Sequence, residues 1–516
     1  MKRYSKGHAR RSLFHTVFFR TLSQFATLAS YVVIVRGLTA EAFGVLNLLY
    51  AVIPVISTVA SLGVEQTLRR FQPEYLRSGR PQMATWLVRA ASATRFATNL
   101  LMLGLILLLW QWIAPLFKLQ PYRAEFALFA VLILLHFQAS ILQLSLSSHM
   151  LQGFSVGMTV VLSLVKLLAY ATLMHFHHLT LTNAICADLL GYGLMYLGLR
   201  IAHARHCRKG SEGDNFKVDS VERKRLLRYS FLNNFNDAGS FVLSSKSDVF
   251  FIAALANPAA VGAYAFYTRL SQMASQLLPT RLFGNVIQPL FFAVSRQEAQ
   301  WRIPRYFTLL VNLNGLLQLP MLAFATAFHA DIVEVIFAGK FLSQSWLLPV
   351  IVGFATLNRV DEPIALVAQY HEKAFVILVG KLSLVYNVIA ILALVPVMGL
   401  FGAAIATGSA QMLKNLFVWW HVRATARWTN FRHVLTMTTV IWGSCTAVCL
   451  ALKYLLPGLP WVHLAVGALL CGAATILYAR SPALATSDRE ILASVFHGRE
   501  ASLLRWLGIT ARTRAA

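Results

Sequence analysis

Between residues 229 and 297 the chain sets charged and amide side chains into runs that are otherwise long and apolar enough to cross a bilayer. In 231–258, Asn233, Asp237, Ser240, Ser244 and Asp248 recur at spacings of four, three, four and four. On a helix of about 3.6 residues per turn they share one face. The next run, 261–292, repeats the arrangement with Arg269, Gln272, Gln276, Thr280 and Gln288, and Arg281 lies beside that row. Such residues can bind anions and hydroxyls: a guanidinium grips two phosphate oxygens at once, an ammonium supplies a point charge, and amides bond hydroxyls. Each charge at mid-bilayer costs roughly 2.5–3.5 kcal/mol on insertion scales, so these faces are expected to border a wet interior and not lipid. A polar-lined path through a membrane is the organising expectation.

A comparable row opens the chain, where Arg20, Gln24, Thr27 and Tyr31 share a face, followed by Asn47, Tyr50, Pro54, Ser57, Ser61 and Glu65 on the next segment. Arg20, Lys246, Arg269 and Arg281 are the candidate anion-binding residues, with Gln24 and Gln276 beside them. Asp237 and Asp248 are candidates for ion coupling, because a buried carboxylate shifted toward neutral can exchange a proton or hold Na⁺. A static salt bridge to a neighbouring Arg is the alternative, and nothing chooses H⁺ over Na⁺. Lys166, Arg359, Lys381 and Lys414 read as interhelical partners of Asp188, Asp361 and Glu362. His175, His177 and His178 read as a solvated outer turn, and Cys445 with Cys449 as one helix face without a metal role. No carboxylate pair, nucleophile triad or Gly-rich phosphate loop stands out, so neither an enzyme nor a cofactor beyond a coupling ion is expected.

The elements that must position these residues follow from composition. Of 516 residues 57% are hydrophobic and only 13% charged, and mean hydropathy is +0.60; soluble domains carry about 25% charge. An all-α integral membrane protein is expected. Hydropathy places fourteen spans at about 13–35, 44–65, 91–117, 125–150, 156–176, 179–202, 231–258, 261–292, 307–328, 346–369, 374–397, 400–421, 434–456 and 462–478. With both termini inside, cytoplasmic segments receive 32 of the 46 Lys and Arg and outer loops five. That asymmetry is the positive-inside rule, and it explains a net charge of +26 without a nucleic-acid partner. Met1–Arg11 reads as the lead-in to the first span, without the small-residue cleavage site of a signal peptide. The expected organisation is a six-helix lobe at 1–203, a cytoplasmic linker at 204–229, a second six-helix lobe at 230–424, spans 13 and 14 at 425–479, and a cytoplasmic amphipathic tail at 480–516. Spans 13 and 14 carry almost no interior polarity and read as lipid-facing additions.

Two short alignments tie the lobes together: Ala40–Gly44 with Pro258–Gly262 at an offset of 218, and Asn183–Ala187 with Ala403–Thr407 at 220. Six helices per half return the chain to the same side, which makes the repeats parallel and places two polar-faced pairs around one central cavity. The segment from Arg36-Gly37-Leu38-Thr39-Ala40-Glu41-Ala42-Phe43-Gly44 through Gly63-Val64-Glu65 to Arg70-Phe71-Gln72-Pro73-Glu74-Tyr75 resembles the opening of Wzx-type polysaccharide-biosynthesis flippases. These belong to the multidrug/oligosaccharidyl-lipid/polysaccharide transporter superfamily. Asp248, Val261–Tyr264 and Met398–Ala406 are similar as well. The resemblance implies a bacterial inner-membrane transporter that moves an undecaprenyl-pyrophosphate-linked oligosaccharide to the periplasmic leaflet by alternating access. Its implied partners are that lipid-linked glycan, membrane lipids, and glycan polymerase or assembly proteins. A drug exporter of the same superfamily and a lipid II flippase are the alternatives; a glycan polymerase or ligase would need larger outer loops than 330–345.

The charge distribution makes a topological prediction. A phosphatase reporter fused after Lys340 is expected to be active and one fused after Gly213 inactive, and the reverse pattern would overturn the orientation.

Overall fold

The computed structural model describes residues 6–149, 151–207, 219–242, 245–275, 291, 294, 297–428, 431–484 and 488–489. These are helical almost throughout, and among them there is no strand. Nine described helices are long and apolar enough to cross a membrane, where the sequence reading counts fourteen spans over the whole chain. The protein is therefore all-α and multi-pass. It forms two compact units, Met1–Gly262 and Ala263–Ala516.

The first unit contains α1 (Lys6–Gly37), α2 (Ala40–Val59), α3 (Val64–Arg77), α4 (Pro81–Leu108), α5 (Trp110–Leu116), α6 (Arg123–Ser148), α7 (Gln152–His175), α8 (Leu181–Cys207), α9 (Ser220–Val242), α10 (Ser245–Leu255) and the start of α11 (Pro258–Ser275). Helix α1 packs along α7, and α8 packs on both α6 and α7. Thr39 caps α2, its hydroxyl accepting from the Ala42 amide at 3.1 Å. The basic stretch 69–89, which lies between the spans expected at 44–65 and 91–117, is mostly helical. Leu68, Phe71 and Tyr75 bury one face of α3 against Met83, Leu87 and Val88 of α4, while Arg69, Arg70 and Arg77 stay exposed. A 3.6-residue apolar period lies beneath the charge density.

Two backbone approaches in this unit require glycine. Gly63, at the turn into α3, has φ +68°, and a Cβ there would lie 1.9 Å from the Ser230 carbonyl oxygen. A Cβ on Gly44 would lie 1.7 Å from the Pro258 oxygen, and one on Gly262 would lie 3.1 Å from the Gly44 nitrogen. Gly44 and Gly262 are equivalent positions in the sequence repeat, so the starts of α2 and α11 cross backbone to backbone at the same residue of each copy.

The second unit contains the rest of α11 and α12 (Ala299–Phe337), which kinks at Phe328. There follow α13 (Leu347–Leu357), α14 (Asp361–Tyr370), α15 (Ala374–Gly380), α16 (Ser383–Met398), α17 (Leu400–Val422), α18 (Phe431–Met437), α19 (Gly443–Leu455) and α20 (Pro460–Arg480). The expected span 346–369 is broken by a 3₁₀ turn at Asn358–Val360. Asn358 Nδ2 donates there to the carbonyls of Phe354 at 3.0 Å and Gly408 at 3.2 Å. Span 374–397 is likewise divided between α15 and α16. A π-helical turn, Thr438–Trp442, joins α18 to α19.

Helices α18–α20 keep an outward apolar surface, with Leu435, Val448, Leu450, Leu469 and Leu477 exposed, and pack their other face inward. They share a core with α12 that includes Phe328, Trp442, Tyr478 and the thiols of Cys445, Cys449 and Cys471. The three sulfurs lie within 4.8 Å of one another, filling the seam as small apolar groups. Cys471 is 26 residues beyond Cys445, so sequence spacing could not place it there. These helices also carry polarity: His463 is buried and its Nδ1 lies 2.7 Å from Asp331 of α12, with Lys453 at 2.7 Å from the same carboxylate. Of the tail, residues 490–516 lie outside the described residues. Arg489 donates to the carbonyls of Ala479 at 3.1 Å and Ser481 at 3.0 Å, satisfying acceptors that the end of α20 leaves open.

Gly44→Ala is expected to destabilise the protein by about 1–3 kcal/mol through overpacking, read as a lowered melting temperature in detergent. Gly104→Ala, on an α4 face with open space around it, is expected to be neutral. Equal behaviour of the two variants would contradict the close crossing.

Candidate functional site

Charged and polar side chains inside a membrane protein reveal their role by what they touch. In the first unit, Asp188 of α8 is fully buried and Lys166 Nζ of α7 lies 2.8 Å from its Oδ1. The hydroxyls of Tyr50 and Tyr170 donate to the same carboxylate, and Lys166 donates to the Tyr50 oxygen at 3.1 Å. The carboxylate thus gains an ammonium and two hydroxyl donors, the compensation a buried charge needs. This is the interhelical pair expected for Lys166. Tyr50, read as part of a lumen-facing row, is instead held by α7 and α8.

Glu65, the last residue of the same row, lies 3.7 Å from the Arg95 guanidinium. Arg95 is fully buried on α4 and stacks over the Phe137 ring at 3.9 Å, with Asn99 buried one turn on. Sequence reading passed over this pair because α4 is greasy elsewhere. The i, i+4 spacing of an Arg and an Asn within an apolar run was the available signal. On α1, Ser23 and Thr27 meet the Ser163 hydroxyl of α7 at 2.9 and 3.2 Å, whereas Gln24 is exposed. Outside the spans, Tyr75 donates to Glu222 of α9 at 2.6 Å. Burial and that carboxylate push the Tyr75 hydroxyl well up, so it remains a donor at any physiological pH. Arg225 joins the same group, 3.1 Å from Glu222 and 3.3 Å from Glu74.

In the second unit Lys414 Nζ lies 2.8 Å from Asp361, another expected pair. Among the described residues Arg359 is not within ion-pair distance of a carboxylate, contrary to expectation; its guanidinium lies over the Trp428 ring at 5.3 Å. Asp361, one of the three acids offered to the four cations as a group, holds Lys414. His175, His177 and His178 sit exposed at the end of α7 and the turn beyond it.

Of the candidate substrate and coupling residues, three have described side chains. Gln24 is exposed, Asp248 is fully buried in the first turn of α10, and Arg269 is exposed on α11. Residues 261–268, immediately before Arg269, are all buried, and among the described residues Arg269 has no carboxylate partner. The backbones of Arg20, Asp237 and Lys246 are helical, but their side chains, with Gln276 and Arg281 entirely, lie outside the described residues.

Comparison with known proteins extends this geometry. A family model described as "Polysaccharide biosynthesis protein" matches residues 11–294. No curated protein sequence matches the chain. Among solved structures, "Lipid II flippase MurJ, inward closed conformation" is similar with a TM-score of 0.67 at 12% identity, covering 91% of this chain and 98% of that one. An inward-facing multidrug resistance MATE family transporter of the MOP superfamily gives a TM-score of 0.63 at 13% identity, covering 80% and 98%. The fold is that of these transporters.

The Asp188 cluster yields a test. Lys166→Met strands a buried carboxylate and is expected to destabilise the protein by about 3–5 kcal/mol, whereas Lys166→Met combined with Asp188→Leu recovers most of the loss. Additive losses in the double variant, measured by thermal unfolding in detergent, would contradict the pairing.

Proposed function

The chain belongs to the polysaccharide biosynthesis protein family, and we propose that it is a flippase for undecaprenyl-pyrophosphate-linked oligosaccharides. In this reading it sits in the bacterial inner membrane with both termini cytoplasmic. Lobes at 1–203 and 230–424 alternate access to carry an O-antigen, capsule or exopolysaccharide unit from the cytoplasmic to the periplasmic leaflet. The substrate's difficulty is electrostatic: its pyrophosphate and hydroxyls must cross hydrocarbon without being left unpaired. Arg20, Lys246, Arg269 and Arg281 attract the anion, Gln24 and Gln276 bond hydroxyls, and Asp237 or Asp248 carries the coupling H⁺ or Na⁺. Transport needs no bond to be made or broken, and glycan polymerase or assembly proteins act on the product.

One observation carries the reading. Arg269 offers an exposed guanidinium without a carboxylate partner among the described residues, while Lys166, Lys414 and Lys453 are each held by an acid. A free guanidinium suits a pyrophosphate and repels a cationic drug, which separates this reading from multidrug export. A solved structure of the same fold is titled a lipid II flippase, and lipid flipping by that protein suits this reading.

In a deletion strain, wild type is expected to restore surface glycan. At equal expression Arg269→Ala should restore about 10–100-fold less per unit time, the loss of one charge-assisted bond of about 1.5–3 kcal/mol, with Arg269→Lys intermediate. Lipid-linked intermediate should accumulate as glycan falls. Full rescue by Arg20→Ala, Arg269→Ala and their double variant would remove the proposal.

A further inference from the structure

A cleft of about 880 Å³ opens in the second unit, lined by α13, α14, α16, α17 and the segment that follows α17. Its volume falls within the roughly 300–1,000 Å³ of small-molecule sites. Leu357, Ile364, Met412, Leu413 and Leu416 form apolar walls. The polar groups that reach the cleft are already bonded to protein. Asn415 donates to Asn358 at 2.8 Å, and the hydroxyls of Tyr386 and Ser409 meet at 3.1 Å. The interior therefore asks for hydrocarbon.

One end of the cleft is different. Arg423 and Arg427 line it, both exposed, and among the described residues neither lies within ion-pair distance of a carboxylate. The turn that bears them is fixed. Trp419 Nε1 donates to the Ala426 carbonyl at 3.1 Å, Thr308 Oγ1 donates to the Arg427 carbonyl at 3.3 Å, and Trp428 Nε1 donates to Asn312 at 3.2 Å. Arg423 lies over the Trp420 ring at 4.0 Å. Stacking occupies the guanidinium's face and leaves its N–H edge for an acceptor. A pinned pair of cations, an aromatic rim of Trp419 and Trp428, and an apolar cleft below them match an amphiphile with a phosphate head.

We propose that this cleft holds one anionic phospholipid, its phosphate on Arg423 and Arg427 and an acyl chain along Ile364, Leu413 and Leu416. A free phosphate would have no use for the apolar walls. A zwitterionic lipid carries its own ammonium, which the two arginines would repel. The positive-inside rule places 423–432 at the cytoplasmic leaflet, where anionic lipids give a basic segment about 1 kcal/mol per Lys or Arg. The lipid would be a resident of the second unit, separate from any glycan carrier in transit.

The test uses the full chain, delipidated in detergent and titrated by native mass spectrometry with phosphatidylglycerol, phosphatidylcholine of the same chains, undecaprenyl phosphate, or inorganic phosphate. One phosphatidylglycerol is expected to bind at least tenfold more tightly than phosphatidylcholine, with inorganic phosphate leaving no adduct. The Arg423→Ala/Arg427→Ala variant should lose about tenfold or more of that affinity, and Leu416→Trp, which fills the cleft, should lose it while keeping both charges. Circular dichroism melting of each variant reports whether it is folded, and a variant that fails is replaced by Arg423→Gln/Arg427→Gln. Equal affinity for the two phospholipids, undiminished binding by the arginine variant, or a tighter grip on undecaprenyl phosphate that the same substitutions abolish would each overturn the proposal.

Discussion

A charge placed inside a membrane protein must find an opposite charge, a set of hydrogen-bond donors, or water. That requirement organises both units. Asp188, Asp361 and Asp331 each hold a lysine at 2.7–2.8 Å. The first is further satisfied by two tyrosine hydroxyls, and the last by His463. These groups act as interhelical clasps: α2 with α7 and α8, α14 with α17, and α12 with α19 and α20. Because each clasp is internally complete, it is unavailable to a passing substrate. Other cations stand outside these clasps: among the described residues Arg269, exposed on α11, has no carboxylate partner.

Backbone proximity sets a second constraint. The starts of α2 and α11 approach until only hydrogen fits at Gly44, against Pro258 and Gly262. The two glycines occupy the same place in two copies of a repeat, so the contact is one that a duplicated sequence makes with itself. Small residues at such a crossing let helices pack by dispersion and backbone contact where lipid removes the hydrophobic drive between them.

Much of this was legible beforehand. Hydropathy and the small share of charge give the all-α membrane class, and the repeat offset of 218 aligned Gly44 with Gly262 without saying that they touch. Lys166, Lys414, Asp188 and Asp361 could be read as interhelical ions because they fall within expected spans, although sequence did not fix which lysine meets which acid. Other features were hidden for identifiable reasons. Helix α3 was masked by its own arginines, since charge density reads as loop while burial of Leu68, Phe71 and Tyr75 depends on a partner helix. Arg359 was read as one of four interhelical cations set against three acids, and sequence cannot say which cation an acid reaches; Asp361 holds Lys414. Helices α19 and α20 looked uniformly greasy because one histidine and one lysine, scattered over two spans, gain meaning only beside Asp331. Tyr50 fell on a regular polar face, yet periodicity cannot tell a face turned to water from one turned to a neighbour's carboxylate.

The proposed function stands on Arg269 facing water within the span expected at 261–292. The direct measurement is labelling of Arg269→Cys, in a variant whose five native cysteines are replaced by alanine, with a membrane-impermeant maleimide applied to inverted vesicles and to intact cells. Reaction from at least one side, slowed by added lipid-linked oligosaccharide, is the result this account predicts. Reaction only with a lipid-soluble maleimide, unaffected by substrate, would place the residue among acyl chains and contradict it.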